Sequence, residues 1–385
     1  MKSKPFCVHP FVRHYVSTEG FSELCCEADR AIQGQTPTTD WHADHMQHAR
    51  ALWNQGVWPA ECQRCHSIEA QGGRSLRHII NDRYSDLYQH YRTHATTRPA
   101  APVAYDLRLS NRCNLQCVMC NPESSDQIDR TLSAWLGEAP RSVAPESHTQ
   151  HLVDHIIQHA PEVQHLQLAG GEPFVMPGVT RLLDALCRSG DARHMDLEVT
   201  TNGTVLRTQW INEWFAQFRS CMISVSVDAV GDRAEYVRWG HRWPTLSRRI
   251  RDMHMAMRNW SNCDMNVGAT VHAATVSHIP LLKQWCDAEQ LPVVFSCVTE
   301  PRWLMPHRAP RHIRNEVCAW IRSLPPMEQR DTDLAPTVLK ALEMPGEHTT
   351  EDDEAQHRYI QYLNGTRGRR WRDAVPELAH WDVEP

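Results

Sequence analysis

An α/β fold on a parallel sheet is predicted by three features of this chain: short β-rich runs, amphipathic stretches between them, and their regular alternation after about residue 100. Six runs read as strands: Tyr105–Ser110, His165–Leu168, Asp196–Thr200, Met222–Val227, Met265–Val271 and Pro292–Ser296. Between them lie helix-like segments such as Val179–Arg188, Thr208–Phe218, Leu246–Asn259 and Ile279–Glu289, with apolar residues three and four apart. Crossovers of this length force parallel pairing with right-handed connections. By analogy with barrels and open sheets of this type, chemistry belongs at the C-terminal strand ends.

Composition narrows the class. The 385 residues carry 40 Lys plus Arg against 46 Asp plus Glu, a formal charge of −6, with 41% hydrophobic and 22% charged residues. Collagen, coiled coil and wholesale disorder are excluded, and the length suggests two or three units. No segment approaches the ~18 uninterrupted apolar residues of a membrane span, and MKSKPFCVHPFVRHYV lacks the apolar run of a signal peptide, so a cytoplasmic protein without a membrane partner is expected. Mild acidity gives no global attraction to nucleic acid.

A boundary is expected in the proline-bearing stretch Thr96 to Pro102, which separates an N-terminal unit (1–98) from the strand-rich region (99–310). From 311 to 385 the β pattern gives way to charged, Trp-bearing helical segments, including the acidic stretch Glu347–Glu354. The dense basic cluster Arg367-Gly368-Arg369-Arg370-Trp371-Arg372 is read as a solvated helix face, with phosphate contact and base stacking as the alternative.

Fourteen cysteines in a reducing compartment point to metal before disulfides. Cys187 and Cys286 follow apolar helical runs and read as small buried hydrophobes. The informative group is Cys113-Asn-Leu-Gln-Cys117-Val-Met-Cys120, a Cys-x3-Cys-x2-Cys triad directly after the first strand. Three thiolates on one tight loop can hold three irons of a cubic cluster and leave the fourth open, whereas a structural zinc wants a fourth ligand that Asn121-Pro122-Glu123-Ser124 does not supply.

At this triad the chain resembles the radical S-adenosylmethionine (SAM) superfamily, and further motifs agree in order through about residue 310. Gly170-Gly171-Glu172-Pro173 is similar to the family's GGEP element, which receives the SAM amino group. Thr201-Asn202-Gly203 is similar to its TNG turn, and Ser224-Val225-Ser226-Val227-Asp228 to the strand ending that reaches the ribose and methionyl groups. Arg238 is similar to the Arg that often pairs the SAM carboxylate, and Met119 fills the position near the adenine. The resemblance implies a partial (β/α)6 TIM-like barrel.

Cys7, Cys25-Cys26, Cys62 and Cys65 resemble the SPASM and twitch modules that hold auxiliary iron–sulfur clusters, here preceding the core; Glu69, Gly72 and Ser75 fit the same pattern. Cys7, Cys25, Cys62 and Cys65 would complete a closed [4Fe–4S] site, with Cys26 as the alternative to Cys25 and structural zinc as the alternative metal. His42, His45 and His48, three apart on an expected helix, and likewise His155 and His159, four apart, are read as His-rich solvated faces.

The resemblance thus implies a radical SAM enzyme, an oxidoreductase-type cytoplasmic protein with a SAM-binding [4Fe–4S] cluster, SAM, an auxiliary [4Fe–4S] cluster, and a reductant such as flavodoxin or ferredoxin. Its reaction would be reductive cleavage of SAM to a 5′-deoxyadenosyl radical and hydrogen abstraction from a substrate, with a peptide or protein side chain as first expectation and a small molecule next. The catalytic residues on the substrate side are not readable. The competing readings are a non-catalytic iron–sulfur or zinc protein on a retained scaffold, and an enzyme acting on nucleic acid through the Arg367–Arg372 cluster.

Overall fold

A computed structural model describes residues 4–29, 38–70, 72–140, 146–345 and 349–382. Ten strands occur in it: β1 (Arg13–Val16), β2 (Ser22–Glu23), β3 (Ala104–Leu107), β4 (Gln116–Cys117), β5 (His165–Leu168), β6 (Asp196–Thr201), β7 (Ser220–Ser226), β8 (Arg238–Trp239), β9 (Cys263–Val271) and β10 (Val293–Cys297). The fold is α/β with mostly parallel pairing, as the alternation predicted. All six expected strands are present, four of them shifted by one or two residues at an end. The first ends at Leu107 rather than Ser110.

The chain divides into two compact units. One comprises Met1–Asn111, Ser142–Val199 and Gln217–Ser220; the other comprises Arg112–Arg141, Thr200–Ala216 and Cys221–Pro385.

In the first unit the strand order is β6-β5-β3-β1-β2, parallel throughout except for the final antiparallel pair. Period-two alternation puts Tyr105, Leu107, Leu166, Leu168, Leu197 and Val199 on one face, all buried. The helix Pro177–Ser189 buries Val179, Leu182, Leu183 and Leu186, a three-and-four spacing, and ends at Gly190 in the left-handed region. Each such side chain contributes about 1.5–3 kcal/mol on burial. The N-terminal residues share a core with β3: Phe6, Val8, Phe11 and Val12 cluster with Trp53, Ile80, Tyr84 and Ala104. Arg13–Val16 was not read as a strand, because its parallel partner lies about ninety residues away and four residues carry too little periodicity.

In the second unit β10, β9 and β7 pair in parallel, while β4 and β8 form a short antiparallel ribbon. The helical region after residue 310 is present as Arg311–Ser323, Pro326–Asp331, Lys340–Glu343, Thr350–Thr366 and Trp371–Ala374. Gly346–His348, with the first acid of the acidic stretch, lie outside the described residues; from Thr349 that stretch forms a capping box with Asp352. No described helix is long and apolar enough to cross a membrane.

Three expectations are corrected. The Arg367–Arg372 cluster is only in part a solvated face. Arg367 is buried and donates to the carbonyls of Tyr236 and Gln116, Trp371 is fully buried, and Arg370 and Arg372 both hold Asp382. Arg369, Arg370 and Arg372 stay partly exposed beside these pairings. Cys286 is buried as expected, but Cys187 is only half-buried because it sits at the flank of its helix. His42 lies outside the helix Asp44–Gln55 that carries His45 and His48, since Asp40 turns the chain ahead of it.

Candidate active site

The cysteine loop is built by its own sequence. Ser125 caps the helix Asp126–Leu136 and donates to the Leu115 carbonyl at 2.8 Å, while Asp126 accepts the Cys113 N–H at 2.9 Å. The β4–β8 ribbon places Cys117 opposite Arg238, and Val118 N–H bonds the Val237 carbonyl at 2.8 Å. This pins the loop at both ends.

Donors converge on the thiols. Leu115 N–H lies 3.5 Å from Cys113 Sγ, Asn202 Nδ2 lies 3.9 Å from the same sulfur, and Arg238 Nη1 lies 3.8 Å from Cys117 Sγ. Such donors stabilise thiolate, the form that binds metal. The contact with Cys120, and after it the Arg238 guanidinium, draws the Cys117 thiol down to about 7; the same contact and burial push Cys120 well up. The donor set therefore fits an iron–sulfur cluster held by Cys113, Cys117 and Cys120, and among the described residues no three His, Cys, Asp or Glu side chains gather tightly enough for one bare ion.

Arg238 itself is buried and bidentate on Asp228, at 2.6 and 2.9 Å, while Asp228 also accepts the Thr270 N–H at 2.8 Å. All three guanidinium nitrogens are thus engaged within the protein. Asn202 Nδ2 donates to Asn114 Oδ1 at 2.9 Å, and Asn202 Oδ1 takes the Thr204 N–H at 2.9 Å, which ties the TNG turn to the cysteine loop. Gly203 has φ +75°, and a Cβ there would stand 2.8 Å from Val225 Cγ1. On β7, Ser224 and Ser226 share a face; a Cβ on Gly268 would meet Ser224 Oγ at 2.9 Å. Met119 is half-exposed in the loop.

In the first unit, Gly170 has φ +114°, and a Cβ would lie 3.1 Å from the Ser110 carbonyl, which accepts the Gly171 N–H at 3.1 Å. Glu172 is fully buried and accepts the Phe174 N–H at 3.2 Å, capping the turn Pro173–Val175. Only glycines permit this close approach to the first strand's exit.

The N-terminal cysteines also meet. Cys7, Cys25, Cys62 and Cys65 line one recess with His9 and Trp58 among its walls. Cys26 is not part of that lining; its charged neighbours are Asp106, Arg108, Glu27 and Arg13. Burial pushes the Cys7 thiol up to about 12 and Cys25 well up. Glu69 takes Ser75 Oγ at 2.5 Å and Arg77 at 2.8 and 2.6 Å, and Arg77 lies over the Trp58 ring. Sequence reasoning missed His9 and Arg77. The Cys7-Val8-His9 spacing was the available signal for the first; nothing local marks the second.

Residues 107–271 match the family profile of the Radical SAM superfamily. The antilisterial bacteriocin subtilosin biosynthesis protein AlbA of Bacillus subtilis is 24% identical over 159 residues, 41% of this chain and 29% of that protein. The GTP 3′,8-cyclase of Streptomyces coelicolor is 33% identical over 107 residues, 27% of this chain and 28% of that protein. The chain thus spans about three-tenths of the length of either relative. Among solved structures, Streptococcus suis SuiB bound to precursor peptide SuiA matches with 12% identity and a TM-score of 0.37, covering 66% of this chain and 56% of that one.

Proposed function

We infer that this chain is a radical SAM enzyme, with residues 107–271 as the matched part of its catalytic domain and Cys113, Cys117 and Cys120 as ligands of a [4Fe–4S] cluster. The observation that carries the reading is the convergence of a backbone N–H, the Asn202 amide and the Arg238 guanidinium on the thiols of one Cys-x3-Cys-x2-Cys loop. When bound, the cluster and SAM supply reductive cleavage of a sulfonium and, from it, hydrogen abstraction at an unactivated C–H bond.

The chain's own residues then have distinct tasks. Arg238, oriented by Asp228, holds positive charge against Cys117. Asn202 orients the loop through Asn114. Glu172 presents a carboxylate for the methionyl ammonium while Gly170, Gly171 and Pro173 shape its approach; Ser224 and Ser226 offer hydroxyls, and Met119 an apolar contact for the adenine. Arg238 and Asp228, which the resemblance places at SAM, are here paired with each other beside Cys117.

Cys7, Cys25, Cys62 and Cys65 are proposed to hold an auxiliary [4Fe–4S] cluster, on the support of their shared recess. The functional organisation proposed is an auxiliary-cluster module (1–98), a catalytic core (99–310) and a helical region (311–385). Flavodoxin or ferredoxin is the proposed reductant. A peptide substrate is favoured by the relative named for bacteriocin biosynthesis.

Anaerobic reconstitution tests this directly. Iron, sulfide and zinc analysis, EPR of the reduced protein with and without SAM, and detection of 5′-deoxyadenosine are expected to show iron, a SAM-dependent spectrum and SAM cleavage. Zinc in place of iron, or a spectrum indifferent to SAM, sinks the reading.

A further inference from the structure

The first unit carries a polar layer that SAM chemistry leaves unused. Cα register aligns Tyr15, Asp106, Gln167 and Glu198 across β1, β3, β5 and β6, which sets them on one face of the sheet. Arg13 and Arg108, each two residues from a member of that row, share the face. Parallel strands covered on both sides ordinarily read as continuous apolar runs. Here only the opposite face does.

The layer's charges do not balance. Asp106, with its side chain 2% exposed, is met on Oδ2 by Arg13 Nη2 at 3.2 Å and on Oδ1 by Arg108 Nε at 3.3 Å. Among the described residues neither guanidinium has a second carboxylate within ion-pair distance. Glu198 is taken by Arg83 and His165. Glu23, across Tyr15, lines a separate recess with Glu19, His45 and Glu61.

Arg13 also donates to Gln167 Oε1. Arg108 has no such bond: its Nε is buried without hydrogen-bond geometry to any acceptor, and its guanidinium lies 5.9 Å from the centre of the Tyr15 ring. Among the described residues two guanidiniums share one buried carboxylate, which leaves one positive charge in excess on an Arg108 side chain that is 23% exposed and so open to an anion. Arg108 also stands beside the GGEP loop, since a Cβ on Gly170 would lie 3.2 Å from Arg108 Cα.

We propose that Arg108 anchors a carboxylate of the substrate, with Asp106 and Arg13 positioning it, so that the enzyme takes an acidic peptide. This rests on the radical SAM reading above. One surplus charge matches one carboxylate, which a guanidinium fork receives through two parallel bonds, whereas a phosphate monoester brings about two charges. The carboxylate is that of a Glu or Asp side chain or of a peptide C-terminus.

The test uses reconstituted, SAM-bound protein titrated calorimetrically with acetyl-Gly-Glu-Gly-amide, its Gln isostere, acetyl-Gly-Gly-Gly with a free carboxylate, and inorganic phosphate. At least one carboxylate peptide is expected to bind about tenfold tighter than the Gln isostere, and which one does so identifies the source. Arg108→Gln is expected to remove that difference while iron content and SAM affinity stay at wild-type levels. Arg108→Lys, which keeps the charge without the fork, is expected to retain about a threefold preference, and it carries the test if the Gln variant does not fold. Equal binding of Glu and Gln peptides to a wild type that binds SAM overturns the proposal, as does tighter binding of phosphate or a loss of SAM affinity in Arg108→Gln. A wild type that binds no SAM fails the radical SAM reading instead.

Discussion

Arg238 is one cation between two anions of different kinds, the Asp228 carboxylate and the Cys117 sulfur, and its neighbours fix how much charge the cluster would feel. Removing the negative partner should leave that cation uncompensated beside the metal. Asp228→Asn is therefore expected to raise the cluster's reduction potential by on the order of 50 mV, read by EPR-monitored redox titration. It should also lower stability by roughly 3 kcal/mol in denaturant titration, because a buried ion pair is broken from one side. An unchanged potential would separate Arg238 from the cluster. Arg367 makes a different point. Its guanidinium satisfies two buried carbonyls, so Arg367→Ala should cost about 2–4 kcal/mol, measured as a shift in urea midpoint. A variant of wild-type stability with altered nucleic-acid binding would restore the contact reading that the structure displaces.

At the scale of elements, the GGEP turn depends on a backbone that side chains rarely adopt. Gly170→Ala must place a Cβ at φ +114° against the Ser110 carbonyl, which is expected to cost about 1–3 kcal/mol and to weaken SAM binding while iron loading persists. Full SAM affinity in that variant would show that the turn tolerates the shift. The polar layer supplies a pH dependence. Burial alone would raise the Glu198 carboxyl, but hydrogen bonding to His165 and the charge of Arg83 outweigh it and hold the group at about 2, below its ordinary 4.5. A depressed pKa contributes stability that is complete above pH 4.5 and is lost as pH falls toward about 2. Glu198→Gln should flatten the fall in urea midpoint across that window; an unaltered slope would locate the acid sensitivity elsewhere. These elements differ in legibility. His165–Leu168 and Asp196–Thr201 read cleanly because their alternation is local, and the motif glycines read cleanly because turns demand them. The Arg13–Asp106 pair did not, since an ion pair between strands distant in sequence leaves no periodic trace, and neither did Arg77, whose partner Glu69 lies on a separate helix.

The whole molecule raises the question of what the N-terminal residues are for. From sequence they read as a separate cysteine-bearing module, yet β1 pairs with β3 in parallel and Phe6, Val8, Phe11 and Val12 share a core with Ala104. The cysteine pattern was legible because thiol spacing is short-range; the added strand was not, because its partner is set by tertiary pairing. Four thiols that line one recess are placed to share a metal. Iron content then separates the two sites. Wild-type protein is expected to hold about eight irons, and a variant lacking the thiols of Cys113, Cys117 and Cys120 about four. A variant with Cys7 and Cys62 changed to Ser should also hold about four, retain a SAM-dependent EPR signal, and lose thermal stability through the core shared with β3. Four irons in the wild type with one zinc would make the recess a structural zinc site. A Cys7 and Cys62 variant with full iron content would remove the auxiliary cluster altogether. Persistence of the SAM-dependent signal in that variant is the decisive arm, because it separates a second cluster that supports the fold from one on which SAM binding depends.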